Sequence, residues 1–196
     1  DNPDGSGVER TEYSLNGVTW TTYTGPFTIT AEGTTTFYYR SIDRAGNVEE
    51  ARTGTVKIDK TFPITTASFA GTGGNGWFRS DVQVTLTAAD NGSGSGVLRT
   101  EYSLNGGPWT AYTVPFPITA EGTTALNYRS IDRAGNEEAP RSATVKIDKT
   151  PPTTTHSFAG TAGNSGWYRS NVRATVSAVD NDGGSGVAET RCVLDP

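Results

Sequence analysis

A repeat constrains this chain more than any single motif. "SGVERTEYSLNG" at Ser6 returns as "SGVLRTEYSLNG" at Ser95, 89 positions on, and "TVKIDKT" at Thr55 returns at Thr144 with the same offset. A third block, "SFAGTGGNGWFRSDVQVTLTAADN" from Ser68, returns from Ser157 with one extra residue before its tryptophan. Ordered along the chain, the blocks define a complete copy over 61–149. The second half of a copy (1–60) precedes it and the first half of another (150–196) follows. A period of about 89 residues is too long for the common helical repeats and suits one small β-domain per copy. With no Met anywhere, the first residue is expected to lie inside a longer chain.

Within a copy the strand signals have period two. Val82, Val84, Leu86 and Ala88 alternate with Gln83, Thr85 and Thr87, and the third copy keeps the pattern with Val172, Ala174, Val176 and Ala178. In "TTALNYRSID", Leu126, Tyr128 and Ser130 are expected on one face and Asn127, Arg129 and Ile131 on the other. "SLNGG" after Tyr102 reads as a hairpin turn whose Asn-Gly supplies positive φ, and Pro117 in "PFPIT" marks an edge or a bulge. Expected strands are Ser68–Phe69, Phe78–Ala89, Val97–Leu104, Trp109–Ile118, Thr124–Ile131 and Ala143–Ile147. The fold class is all-β, a tandem array of Ig-like β-sandwich repeats.

Composition narrows the function. Twenty-four Gly and ten Pro supply the turns that many short strands need. The balance of 16 basic and 21 acidic residues, with the basic ones scattered, argues against a nucleic-acid partner, which needs a basic patch. No apolar run approaches the length of a membrane span, and no charged-then-apolar leader is present. Cys192 is the only cysteine, so no internal disulfide forms and no Cys/His cluster holds zinc. His156 stands alone, which argues against a Ser-His-Asp or Cys-His device and leaves only Ser/Thr chemistry with a Lys or carboxylate base open. On these grounds the chain is expected to be non-catalytic.

The combination "GWFRSDVQVTLTAADNGSGSGV", "TEYSLNGGPWTAYTVPFPITAEGTTALNYRSIDRAGN" and the joint "VKIDKTPP" resembles the bacterial Ig-like repeats of large secreted and surface proteins, including the OmpL47-type group. The resemblance covers nearly the whole chain. It implies an extracellular, tandem, non-catalytic array on a bacterial protein, and names no ligand.

In an Ig-like sandwich the B–C and F–G loops cluster at one end, where the chain also enters from the preceding domain. Here those loops are "ADNGSGSG" (89–96) and "DRAGN" (132–136), and the linker is "IDKTFP". Asp59, Asp90 and Asp132 are therefore expected to converge, with Asn91 and Asn136 as further amide or backbone oxygen donors. Calcium takes six to eight such oxygens. The resemblance adds that related arrays of giant adhesins hold calcium with aspartates at such joints, where it would stiffen the rod. A possible second joint offers Asp148 and Asp180, and in the first half-copy Asp1, Asp4 and Asp43 match the loops. The same Asp-Arg-Ala-Gly-Asn stretch also reads as plain turn chemistry, a carboxylate capping a nearby N–H with Gly at positive φ. The two readings are compatible.

Other features have weaker claims. Trp109 and Tyr112, with their counterparts Trp20 and Tyr23, would contact a glycan if both rings of a pair faced outward, yet residues three apart on a strand point to opposite faces. Cys192 takes the place of Tyr102 and is expected to be a small buried hydrophobe. Each half-copy would expose core and sheet edges. Completion by a neighbouring repeat of another copy meets an objection: Asp180–Pro196 and Asp1–Gly17 both cover the B–C loop and strand C, so that segment would be present twice. The expected function is a structural spacer in a stalk, adhesin or filament. The alternative is a carbohydrate-binding accessory module of an extracellular polysaccharide-degrading enzyme, centred on Trp109 and Tyr112.

Overall fold

The computed structural model describes residues 4–194. Every regular element is a strand. The first copy contains β1 (Val8–Ser14), β2 (Thr21–Thr22), β3 (Gly33–Asp43) and β4 (Arg52–Ile58), in one sheet of order β2-β1-β3-β4. The second contains β5 (Ile64–Ala70), β6 (Gly73–Gly74), β7 (Trp77–Phe78), β8 (Val82–Ala89), β9 (Val97–Leu104), β10 (Thr110–Tyr112), β11 (Phe116–Ile118), β12 (Gly122–Asp132) and β13 (Arg141–Ile147). The third contributes β14 (Thr153–Ala159) and β15 (Arg173–Val179). By density of contacts the chain divides into two compact units. One holds residues up to Thr65 with Ala88–Thr100 and Arg129–Ala139. The other holds Thr66–Thr87, Glu101–Tyr128 and the chain from Pro140 on.

The second copy is a two-sheet sandwich. One sheet runs β11-β8-β5 and the other β10-β9-β12-β13-β7-β6. Alternation along β8 sends Val82, Val84 and Leu86 inward, where they meet Ile118, Leu126, Tyr128, Val145 and Ile147 from the strands around them. Ala67, Phe69, Phe78 and Tyr102 close the margins of this core. The aromatic stacking repeats between copies: Tyr102 lies on Phe116 at 4.0 Å, as Tyr13 lies on Phe27 at 4.0 Å. Opposite positions on β3 and β4 adjust in size. Phe37 faces Gly54, where a Cβ would collide with the ring, whereas the smaller Leu126 faces Ala143 on β12 and β13.

Several sequence expectations change. Val97–Leu104 is a strand as expected, and Asn105 and Gly106 take φ of 52° and 72° in the turn after it. The stretch read as Phe78–Ala89 is broken, because Trp77–Phe78 leaves β8 and pairs with the other sheet through a parallel contact of Phe78 with Ile147. Trp109–Ile118 likewise divides into β10 and β11, which belong to different sheets. Ile131, placed outward by alternation, is buried, since the turn after β12 folds back and bridges Ile131 to Glu137. Cys192 is exposed rather than buried, because no strand forms around it.

A polar network crosses the end of β12. Glu138 is buried and accepts the Thr65 N–H at 3.0 Å and the Ser130 N–H at 3.2 Å. The Ser130 hydroxyl meets those of Thr65 at 2.7 Å and Thr100 at 2.8 Å. Its counterpart Glu49 is half-buried and accepts the Ser41 N–H. Glu138→Ala leaves two buried donors without an acceptor and is expected to cost about 2–4 kcal/mol. Glu49→Ala, where water reaches the site, is expected to cost less than about 1 kcal/mol. Urea unfolding of both variants measures the difference, and equal losses would refute it.

Candidate metal centre

The ends of β4, β8 and β12 lie together in the first compact unit, and each is followed or terminated by an aspartate: Asp59, Asp90 and Asp132. One carboxylate oxygen from each lies within 4.8 Å of the others. Asp132 is fully buried, whereas Asp59 and Asp90 are half-buried. No ion pair among the described residues neutralises the three. Like charges this close repel, and burial strengthens the repulsion.

Backbone N–H groups hold each carboxylate in place. Asp59 Oδ2 accepts the Ser95 N–H at 2.6 Å and Oδ1 the Thr61 N–H at 3.2 Å. Asp90 accepts N–H groups from Asn91 at 2.9 Å and Gly96 at 2.7 Å. Asp132 Oδ1 accepts from Gly135 at 2.7 Å and Asn136 at 2.8 Å, in a turn where Gly135 has a φ of 96°. For Asp59 the Ser95 hydroxyl and N–H together hold the carboxyl below the usual carboxylate range against the opposing effect of desolvation.

The two asparagines play different parts. Asn136 enters as a donor: its Nδ2 reaches Asp132 Oδ2 at 2.8 Å and the Asp59 carbonyl at 3.2 Å. Its side-chain nitrogen therefore braces the turn. Asn91 Oδ1, by contrast, is a buried oxygen with no hydrogen-bond partner. Gly94 permits this packing, because a Cβ there would collide with Asn91 Oδ1 and Asp90 Oδ2. Three carboxylates that could hold a metal ion thus gather, with an unpartnered amide oxygen beside Asp90. The donors are all oxygen, the preference of calcium or magnesium rather than of zinc.

The turn itself needs no such cluster. Asp43 makes the same bonds to Asn47, with both N–H and Nδ2 at 2.8 Å, while Asp4 is exposed and Asp1 lies outside the described residues. At the second joint Asp148 accepts the Ser185 N–H at 2.7 Å and Asp180 the Gly186 N–H at 2.6 Å, as Asp59 and Asp90 do with Ser95 and Gly96. The Asn181 amide stands 3.3 Å from Asp148 Oδ1 and 3.0 Å from Asp180 Oδ1. Turned nitrogen-inward it donates to both, and turned oxygen-inward it makes an all-oxygen group. Sequence reasoning overlooked Ser95, although "SGV" at Ser6, Ser95 and Ser185 marks the position in every copy.

The aromatic pairs do not form matching platforms. Tyr112 packs against the core edge-on to Phe116, while Trp109 is exposed. In the first copy Tyr23 is exposed and Trp20 is half-buried with the Arg40 guanidinium 3.9 Å above its ring. Each pair thus presents one outward ring.

No family model matches the chain, and no curated protein matches it. Among solved structures it is similar to the fibronectin(III)-like modules of Clostridium thermocellum CbhA. The identity is 17%, over 75% of this chain and 83% of that one, with a TM-score of 0.35. The β-sandwich character of the second copy rests on its own strand order and core.

Proposed function

We propose that this chain is a non-catalytic structural array of Ig-like β-sandwich modules, part of a secreted or cell-surface bacterial protein, whose joints are stiffened by calcium. The observation that carries the reading is the convergence of Asp59, Asp90 and Asp132, with the unpartnered oxygen of Asn91 beside Asp90. Calcium–oxygen distances of 2.3–2.6 Å keep the ligands of one ion within roughly 4.6–5.2 Å of each other, and these three oxygens all lie within 4.8 Å. Asp59 belongs to the linker after β4, Asp90 to the loop after β8 and Asp132 to the turn after β12. A cation bound by all three ties linker to loops, relieves their repulsion and restricts bending at the joint. Asn91 Oδ1 adds a neutral ligand, and backbone donors already orient the carboxylates, so little reorganisation accompanies binding.

Two measurements test this. Calcium at about 100-fold over its Kd is expected to raise the thermal midpoint of the transition containing the joint by roughly 5–10 °C. The double variant Asp59→Asn/Asp90→Asn should show no rise, and an unchanged wild-type midpoint at millimolar calcium would refute the metal. The second measurement is acid unfolding without calcium. Because the folded-state pKa of Asp59 is depressed, its contribution is complete above the ordinary Asp value of about 3.9 and is lost as pH falls through the depressed one. Asp59→Asn is therefore expected to lose less stability than the wild type between about pH 4 and pH 2. Parallel pH profiles would count against this role for Asp59.

A further inference from the structure

One peptide group in the linker is held from both sides. The N–H of Lys60 donates to Glu32 Oε1 at 2.8 Å, and the carbonyl of the same peptide group, that of Asp59, accepts Asn136 Nδ2 at 3.2 Å. Glu32 stands just before β3 of the first copy, and Asn136 in the turn after β12 of the second. A peptide group is planar and does not turn about its own C–N bond, so holding both of its polar ends fixes its orientation. Each copy thus grips one end of a rigid unit.

Neighbouring residues strengthen the grip on each side. Toward the first copy, Lys60 Nζ donates to the Thr30 carbonyl at 2.8 Å, and the Thr61 hydroxyl reaches Glu32 at 3.0 Å. The complete second copy holds the linker after it in the same way. There the Lys149 N–H and the Thr150 hydroxyl donate to Glu121, and Lys149 Nζ to the Thr119 carbonyl. Toward the second copy, the Asp59 carboxylate accepts the Ser95 N–H, Pro63 is fully buried, and Thr65 is bonded to Glu138 and Ser130. The linker and the loops beside it supply the clamp, not the sheet faces that the half-copies leave open.

Asn136 Nδ2 makes a second bond, to Asp132 Oδ2 at 2.8 Å. One side-chain nitrogen therefore joins a carboxylate of the candidate metal centre to the backbone of Asp59, which supplies another. We propose that Asn136 is a positioning residue: it clamps the Asp59–Lys60 peptide group opposite Glu32, and so couples order in the linker to the placement of Asp59 and Asp132. The clamp consists of protein groups alone and stands without a cation. Only its coupling to a cation rests on the calcium reading. An ion that fixes both carboxylates also favours the closed clamp, and by linkage an open clamp weakens the binding of that ion.

Amide hydrogen exchange of the 196-residue chain, resolved by residue with NMR in chelator and in calcium, tests the proposal. In chelator the Lys60 amide is expected to exchange slowly, and Asn136→Ala should speed it roughly tenfold. Asn47→Ala removes the same turn bond in the first copy and should leave Lys60 unchanged, which separates clamping from turn-making. Glu32→Ala, at an exposed position, removes the acceptor itself and should free the Lys60 amide without touching the turn. Wild-type Lys60 exchanging at the rate of an unstructured peptide would overturn the clamp. Lys60 as protected in Asn136→Ala as in the wild type would overturn the role of Asn136. Calcium is expected to slow Lys60 exchange further and to bind Asn136→Ala more weakly by a matching factor. Should calcium change nothing while the chelator results hold, the clamp stands and the coupling falls with the calcium reading.

Discussion

The apolar face of β8, with Val82, Val84 and Leu86, must lie against another apolar sheet face, and the rest of the intact copy depends on that contact. β8 supplies three of the buried side chains and also gives β11 its hydrogen-bonding partner. The chain contains its own control. The first copy pairs β3 with β4 in the same register as β12 with β13, but among its described residues there is no strand like β8. There the "PFTIT" segment stays irregular and the aromatic residues stay half-exposed. Strand formation in this segment is a tertiary event, since its β-propensity is the same in both places.

At the end of the sandwich the constraint is electrostatic. Loops that terminate β8 and β12 must satisfy their backbone donors, and aspartates do so at Asp90 and Asp132. Asp43 makes the same turn with Asn47, through its N–H and its Nδ2. What distinguishes the joint is that three such carboxylates share a partly buried space. Turn and metal readings are thus two levels of one arrangement: the turn orients the carboxylate, and the convergence makes a group that could hold a cation.

Both the fold and the candidate site were largely legible in the sequence, for identifiable reasons. The near-perfect repeat made the strands recognisable twice over, and alternation marked Val82, Val84 and Leu86 as core. Knowledge of where sandwich loops cluster was enough to group Asp59, Asp90 and Asp132. Alternation failed at Ile131, because a chain that folds back at a turn covers both sides of the strand end. It also failed to divide Trp109–Ile118, since a period-two pattern does not record which sheet a strand joins. The role of Asn136 as a donor depends on side-chain direction, and the buried network around Glu138 had no periodic signature at all.

Sequence by itself therefore determined most of the strands, the inward face of β8 and the aspartates that gather at the first joint. These depend on local alternation and turn chemistry, which a repeat displays directly. Only the tertiary structure decided which strands have partners, which amide oxygen is left unpaired, and that the near-identical "PFPIT" and "PFTIT" segments form a strand in one copy and not in the other. Those outcomes depend on what lies across a sheet or a loop, and no local pattern of residues contains the position of a partner distant in the chain.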